Sequence, residues 1–200
     1  MQHKTLRGLI TASLLAGLAG AAQAHTGHGT QSFMQGLVHP LGLDHLLVMV
    51  AVGLWSVTAL PRGKAWQGPT TFMLALLVGA FMGAMGFIVP YLEHAVALSV
   101  GLLGMMLIAS RTALPTGLGL GLVAAAASLH GLAHGAETPA SGAAGYAIGF
   151  LATTAALHLG GVFTGLGIRR ALNQRAGWAL GGLGAAMGGA GLFLFGQLAA

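Results

Sequence analysis

From residue 36 to the C-terminus the chain is a succession of long apolar runs, interrupted only by Pro, Gly, Arg or short polar clusters. The runs fall near 36–60, 70–90, 93–111, 115–136, 141–168 and 176–198. Each approaches the ~20 residues that carry an α-helix across the hydrocarbon core of a bilayer. The pattern predicts an all-α membrane protein, built as a compact bundle of six transmembrane helices. The connections are short, so consecutive helices are expected to pack antiparallel.

The N-terminal run reads differently. Lys4 and Arg7 precede an apolar stretch from Leu9 to Ala19, and Ala22-Gln23-Ala24 follows as an A-x-A cleavage site. This predicts a cleavable signal peptide over 1–24 and a six-helix transmembrane domain over 25–200. A first helix that stays attached is the alternative, but its apolar core is shorter than the ~20 residues of a span. Cleavage would leave His25-Thr26-Gly27-His28 as the new N-terminus, outside the cytoplasm.

Composition agrees with the runs. The hydrophobic fraction is 56%, the charged fraction 6% and the mean hydropathy +0.83, against about 25% charged residues in a soluble domain. Lys and Arg number 8 against 3 Asp and Glu, yet the bases are scattered singly. No basic patch interleaved with aromatics exists, which excludes a nucleic-acid partner. The chain has no cysteine, so a metal must be held by imidazole, carboxylate, thioether or backbone oxygen.

The basic residues orient the bundle. Arg62 and Lys64 follow the first run, Arg111 the third, and Arg169, Arg170 and Arg175 the fifth. With the mature N-terminus outside, all six fall on the cytoplasmic side, as the positive-inside rule requires. His25, His28, His39, Asp44, His45, Glu93, His94, His130, His134 and Glu137 then lie in the outer half, and His158 near the middle. The outer face is thereby suited to attracting a cation. Small-x-x-x-small pairs recur, among them Gly79/Gly83, Gly131/Gly135, Gly161/Gly165 and Gly184/Gly188. They predict close helix packing; Gly42, between Pro40 and Asp44, is better suited to an irregular turn.

Three ionisable groups, His39, Asp44 and His45, open the first run. Such a side chain inside hydrocarbon costs about 2.5–3.5 kcal/mol on insertion scales, so it marks a pathway or a ligand. Two imidazoles and a carboxylate suit a borderline divalent transition metal. On an ideal helix His45 points about 120° from His39, and Asp44 about 140° from it. One regular helix cannot aim all three at one ion, so either the chain bends near Gly42 or a neighbouring helix completes the site. Asp44 could also accept the free N–H of a ligating imidazole and raise its basicity. Met49, one turn after His45, offers either a thioether or plain packing.

The fourth run ends His130-Gly131-Leu132-Ala133-His134-Gly135-Ala136-Glu137. His130 and His134 are i, i+4 and share one face. The pair resembles the zinc-peptidase H-E-x-x-H, but Gly131 stands where the catalytic glutamate would be. His158 is a lone imidazole, suited to an inner stretch of a pathway or to packing. Glu93 and His94 read as a vestibule pair or as solvated helix ends.

The signal peptide, the His25/His28 tail, the segment His39-Pro40-x-Gly42-x-Asp44-His45, the His130/His134 pair and His158 together resemble the HupE/UreJ family over essentially the whole chain. The resemblance implies a nickel permease of the bacterial inner membrane that supplies hydrogenase or urease maturation, with cobalt the cargo in some members. It implies functional roles for His39, Asp44 and His45. The expected metal residues are therefore His39, Asp44, His45, His130, His134 and His158, with His25 and His28 collecting the ion.

No prosthetic group is expected, Ni²⁺ being the cargo. The same donors also accept Co²⁺ and Zn²⁺. The expected partners are the ion and the lipid bilayer, with a homo-oligomer left open. No Walker-type motif exists to drive transport directly. An intramembrane zinc-dependent hydrolase, or a membrane anchor or assembly factor with structural histidines, are the rival readings to this non-enzymatic one.

Overall fold

The computed structural model describes residues 33–111, 114–137 and 142–198. The expected signal peptide, His25 and His28 lie outside them. Among the described residues the chain is helical throughout: α1 (Phe33–Val38), a 3₁₀ turn (His39–Leu41), α2 (Leu43–Ala59), α3 (Gln67–Ala84), α4 (Leu92–Ile108), α5 (Thr116–Ala136), α6 (Ala143–Leu172) and α7 (Ala176–Leu198). The breaks have local causes. Leu60 is extended ahead of Pro61 and ends α2, and Pro115 caps the start of α5. Tyr91 and Asn173 adopt positive φ, of 56° and 46°, ahead of α4 and between α6 and α7.

By length and composition, Gln67–Ala84, Thr116–Ala136 and the stretch Ala143–Leu198 can cross a membrane. The pair α1–α2, bent by 74°, adds a fourth span if counted as one. On this criterion the structure supports three or four spans where the sequence predicts six. The difference is length: α4 has 17 residues, or about 26 Å of rise, against a ~30 Å core. In addition, α6 and α7 form one stretch interrupted only by the turn at Asn173–Arg175.

Helix α2 is the axis of the molecule. Every residue from Ala51 to Val57 is buried, as a helix surrounded by others requires. The broad interfaces are α3 with α5, α4 with α7, and α2 with α6, with α1 laid on the start of α6. None of these joins consecutive spans, which corrects the expectation that sequence neighbours form the main antiparallel pairs. Glycine decides the pairing. A β-carbon on Gly79 or Gly83 of α3 would strike the carbonyl of Ser128 or Leu132 of α5, and one on Gly131 that of Leu76. Gly53 meets Gly161 between α2 and α6, and Gly104 meets Gly184 and Gly188 between α4 and α7. Backbones this close gain van der Waals contact that lipid tails cannot match. The contact order makes α3 parallel to α5, α2 parallel to α6 and α4 antiparallel to α7, as a chain of strictly alternating helices demands.

Candidate metal centre

Gly42 is where the first helix changes direction. Its φ of −53° and ψ of 143° leave the helical region, and its N–H closes the short turn on the His39 carbonyl at 3.1 Å. A carbonyl released by the bend, that of Leu37, is taken by the Thr153 hydroxyl of α6 at 2.8 Å. The bend turns His39 back over the start of α2, so that it no longer diverges from His45. His134, near the end of α5, comes to meet both.

His39, His45 and His134 each contribute one ring nitrogen, and the three nitrogens lie within 4.8 Å of one another. Two ligands of one ion at metal–nitrogen distances near 2.0–2.1 Å sit about 3–4 Å apart, so modest rotation brings all three onto a single centre. His45 and His134 are fully and almost fully buried, and their Nε2 atoms face each other in direct contact. Asp44 stands behind this pair, its Oδ1 2.7 Å from Nδ1 of His45. A proton on Nδ1 would face the carboxylate, and Nε2 of His45 would then present its lone pair to the cluster. Phe150 closes one wall, its ring centroid 4.6 Å from that of His134, and Tyr146 flanks His39 at 5.7 Å.

Below the cluster the histidines continue inward. The His130 ring lies 4.9 Å from that of His45, and its Nε2 is 3.0 Å from the Ser99 hydroxyl of α4. Ser99 donates its own hydrogen to the Val96 carbonyl at 2.7 Å, so His130 Nε2–H is the donor in that pair. Next comes Phe72 of α3, wholly buried, with ring centroids 6.2 Å from His130 and 4.8 Å from His158. His158 Nδ1 sits 2.7 Å from the Thr154 carbonyl, which can only accept. Its Nε2 is therefore the basic nitrogen, and with Thr154 Oγ1 it is buried without a hydrogen-bond partner among the described residues. Five helices thus line one imidazole column through the middle of the bundle.

The structure brings together His39, His45 and His134, with Asp44 as a brace and His130 adjoining. His158 stands apart, beyond Phe72. Met49 is buried in the apolar core, the packing alternative. Glu93 and His94 part company: Glu93 lines a cavity of about 110 Å³ with Asp44, whereas His94 packs against Tyr91 and Phe195. Glu137 is exposed at the C-cap of α5. Sequence reasoning missed Ser99, Phe72, Phe150 and Tyr146. Ser99 alone carried a signal, as the single hydroxyl of α4 and its one polar side chain beyond the first turn.

An all-helical bundle of membrane-crossing apolar helices, enclosing a carboxylate-braced trihistidine cluster, defines a multi-pass membrane protein able to hold a divalent metal. Comparison with known proteins narrows that class. The HupE / UreJ protein family matches residues 13–194, and the chain belongs to it. It is 42% identical to Protein HupE of Rhizobium leguminosarum bv. viciae over 157 residues, covering 76% of this chain and 81% of the relative. No solved structure matches the chain.

Proposed function

We propose that the protein is a permease that takes up Ni²⁺, with Co²⁺ as the alternative cargo, from the periplasm across the bacterial inner membrane. Its six helical units then act as six spans, with the mature N-terminus outside and the arginine-rich end in the cytoplasm. The observation that carries the reading is the convergence of His39, His45 and His134 inside an apolar bundle, at the end opposite the basic residues. His25 and His28 collect the ion. The cleft holding Asp44 and Glu93 draws it in, and the trihistidine cluster replaces its hydration shell with imidazole. His130 and His158 continue the path inward past Phe72. Membership of the HupE/UreJ family supports cargo delivery to hydrogenase or urease maturation. The protein performs no bond chemistry in this role and holds no prosthetic group.

Two variants separate binding from passage. His45→Ala is expected to lose both Ni²⁺ binding by the purified protein and ⁶³Ni uptake by cells. His158→Ala is expected to keep binding within about twofold, because the trihistidine cluster that sets affinity is untouched, and to lose uptake. Undiminished uptake in membranes carrying normal amounts of His45→Ala would overturn the reading.

A further inference from the structure

At the end of the bundle opposite the histidines lies a cavity of about 360 Å³. Ser56 and Val57 of α2 and Leu60 just after it form its largely apolar back, and Arg62, Arg169 and Arg170 stand around it. Arg62 comes from the connection after α2, whereas Arg169 and Arg170 end α6. Arg169 is held in place by donating from one terminal nitrogen to the Val57 carbonyl at 2.5 Å. The negative end of the α6 dipole favours basic residues in its last turn. It does not account for a third guanidinium arriving at the same cavity from another element.

The chain cannot neutralise these charges itself. Its acids number three, and Asp44, Glu93 and Glu137 all sit at the other end of the bundle. Asp44 and Val57 are thirteen residues apart on α2, about 20 Å along a helix, beyond the ~8 Å screening length of physiological salt. Three guanidiniums, each a planar fork of five donors, therefore face one cavity without a carboxylate. Such forks match the tetrahedral oxygens of phosphate bidentately.

We propose that this cavity binds a phosphate oxyanion, presented by the headgroup of an anionic phospholipid. Basic pockets between helices at a cytoplasmic surface recognise such headgroups, and the apolar back formed by α2 suits the adjoining glycerol and acyl carbons. The site stands on the arginine geometry and is independent of what the histidine column carries. It has a consequence for that column: Gly53 of α2 abuts the His158 carbonyl, so Ser56 and Val57 lie one helical turn beyond it. A bound anion there offsets a field of three positive charges that would oppose a departing cation.

The test uses the full chain in nanodiscs of neutral phosphatidylcholine, with or without phosphatidylglycerol, read by native mass spectrometry of retained lipid. Wild type is expected to retain phosphatidylglycerol, and Arg62→Gln/Arg170→Gln to retain about tenfold less, as the loss of charged hydrogen bonds dictates. Arg62→Lys/Arg170→Lys, which keeps the charge and loses the fork, is expected to fall between and controls for folding. Inorganic phosphate added to the nanodiscs that contain phosphatidylglycerol distinguishes the sources. A weak, salt-sensitive competition supports the headgroup, whereas full displacement by phosphate alone overturns the lipid assignment. Equal phosphatidylglycerol retention in wild type and both variants overturns the site.

Discussion

Asp44 is the residue that braces the candidate metal site, standing behind the three ring nitrogens rather than among them. Its carboxylate, 2.7 Å from His45 Nδ1, stands where a ligand-orienting partner would hold a proton on that nitrogen and leave Nε2 basic. Partners of this kind change metal affinity by about 10–100-fold when removed. Asp44→Asn is therefore expected to weaken Co²⁺ binding by that factor, followed through the visible spectrum of the bound ion, with Asp44→Glu recovering part of the loss. An Asn variant with wild-type affinity would mean that His45 is oriented by packing alone. His158 shows the same device with a different brace: the backbone carbonyl of Thr154 holds Nδ1–H and leaves Nε2 basic. Both roles were half legible beforehand. The residue types and spacing marked His39, Asp44 and His45 as a set, but which side chain would face the ion and which would support it depends on a bend of 74° that no helical wheel contains.

Among elements, the pairing of helices through glycine places the histidines. Gly131 lies between His130 and His134 on α5, and a β-carbon there would strike the Leu76 carbonyl of α3. Gly131→Ala is expected to force α3 and α5 apart and destabilise the protein by about 1–3 kcal/mol, with a lower melting temperature and weakened metal binding together. Gly121 on the same helix faces open space. Gly121→Ala is expected to be neutral or stabilising by up to about 1 kcal/mol through helix propensity. Equal melting temperatures for the two variants would remove the packing argument. The small-x-x-x-small pattern announced close contact but not the partner. Gly79/Gly83 and Gly131/Gly135 pair with each other across three-dimensional space, and nothing in either stretch names the other.

At the scale of the molecule, charge is segregated along the bundle axis. Acids and the trihistidine cluster occupy one end, Arg62, Lys64, Arg169 and Arg170 the other. Because the chain has no cysteine, single cysteines report topology cleanly. Ile88→Cys, in the connection between α3 and α4 and 87% exposed, is expected to react with an impermeant maleimide in spheroplasts. Lys64→Cys is expected to react only after the membrane is opened. The reverse pattern would invert the orientation and, with it, the direction proposed for the ion.

Sequence alone marked the helical membrane class, the separation of acids from bases along the chain and the segments that carry the histidines. Each of these is a one-dimensional property, since insertion free energy sums over consecutive residues and basic residues act at the loop in which they occur. Tertiary structure decided the rest. It bent the first helix at Gly42, chose α5 as the source of the third imidazole, moved His130 onto Ser99 and inserted Phe72 between the outer histidines and His158. It also gathered three arginines from two elements around one cavity. The reason is physical: in lipid, helices sort by how closely their surfaces fit, and that fit is a relation between faces distant in sequence. A histidine becomes part of a metal centre only when such fits bring another histidine to it.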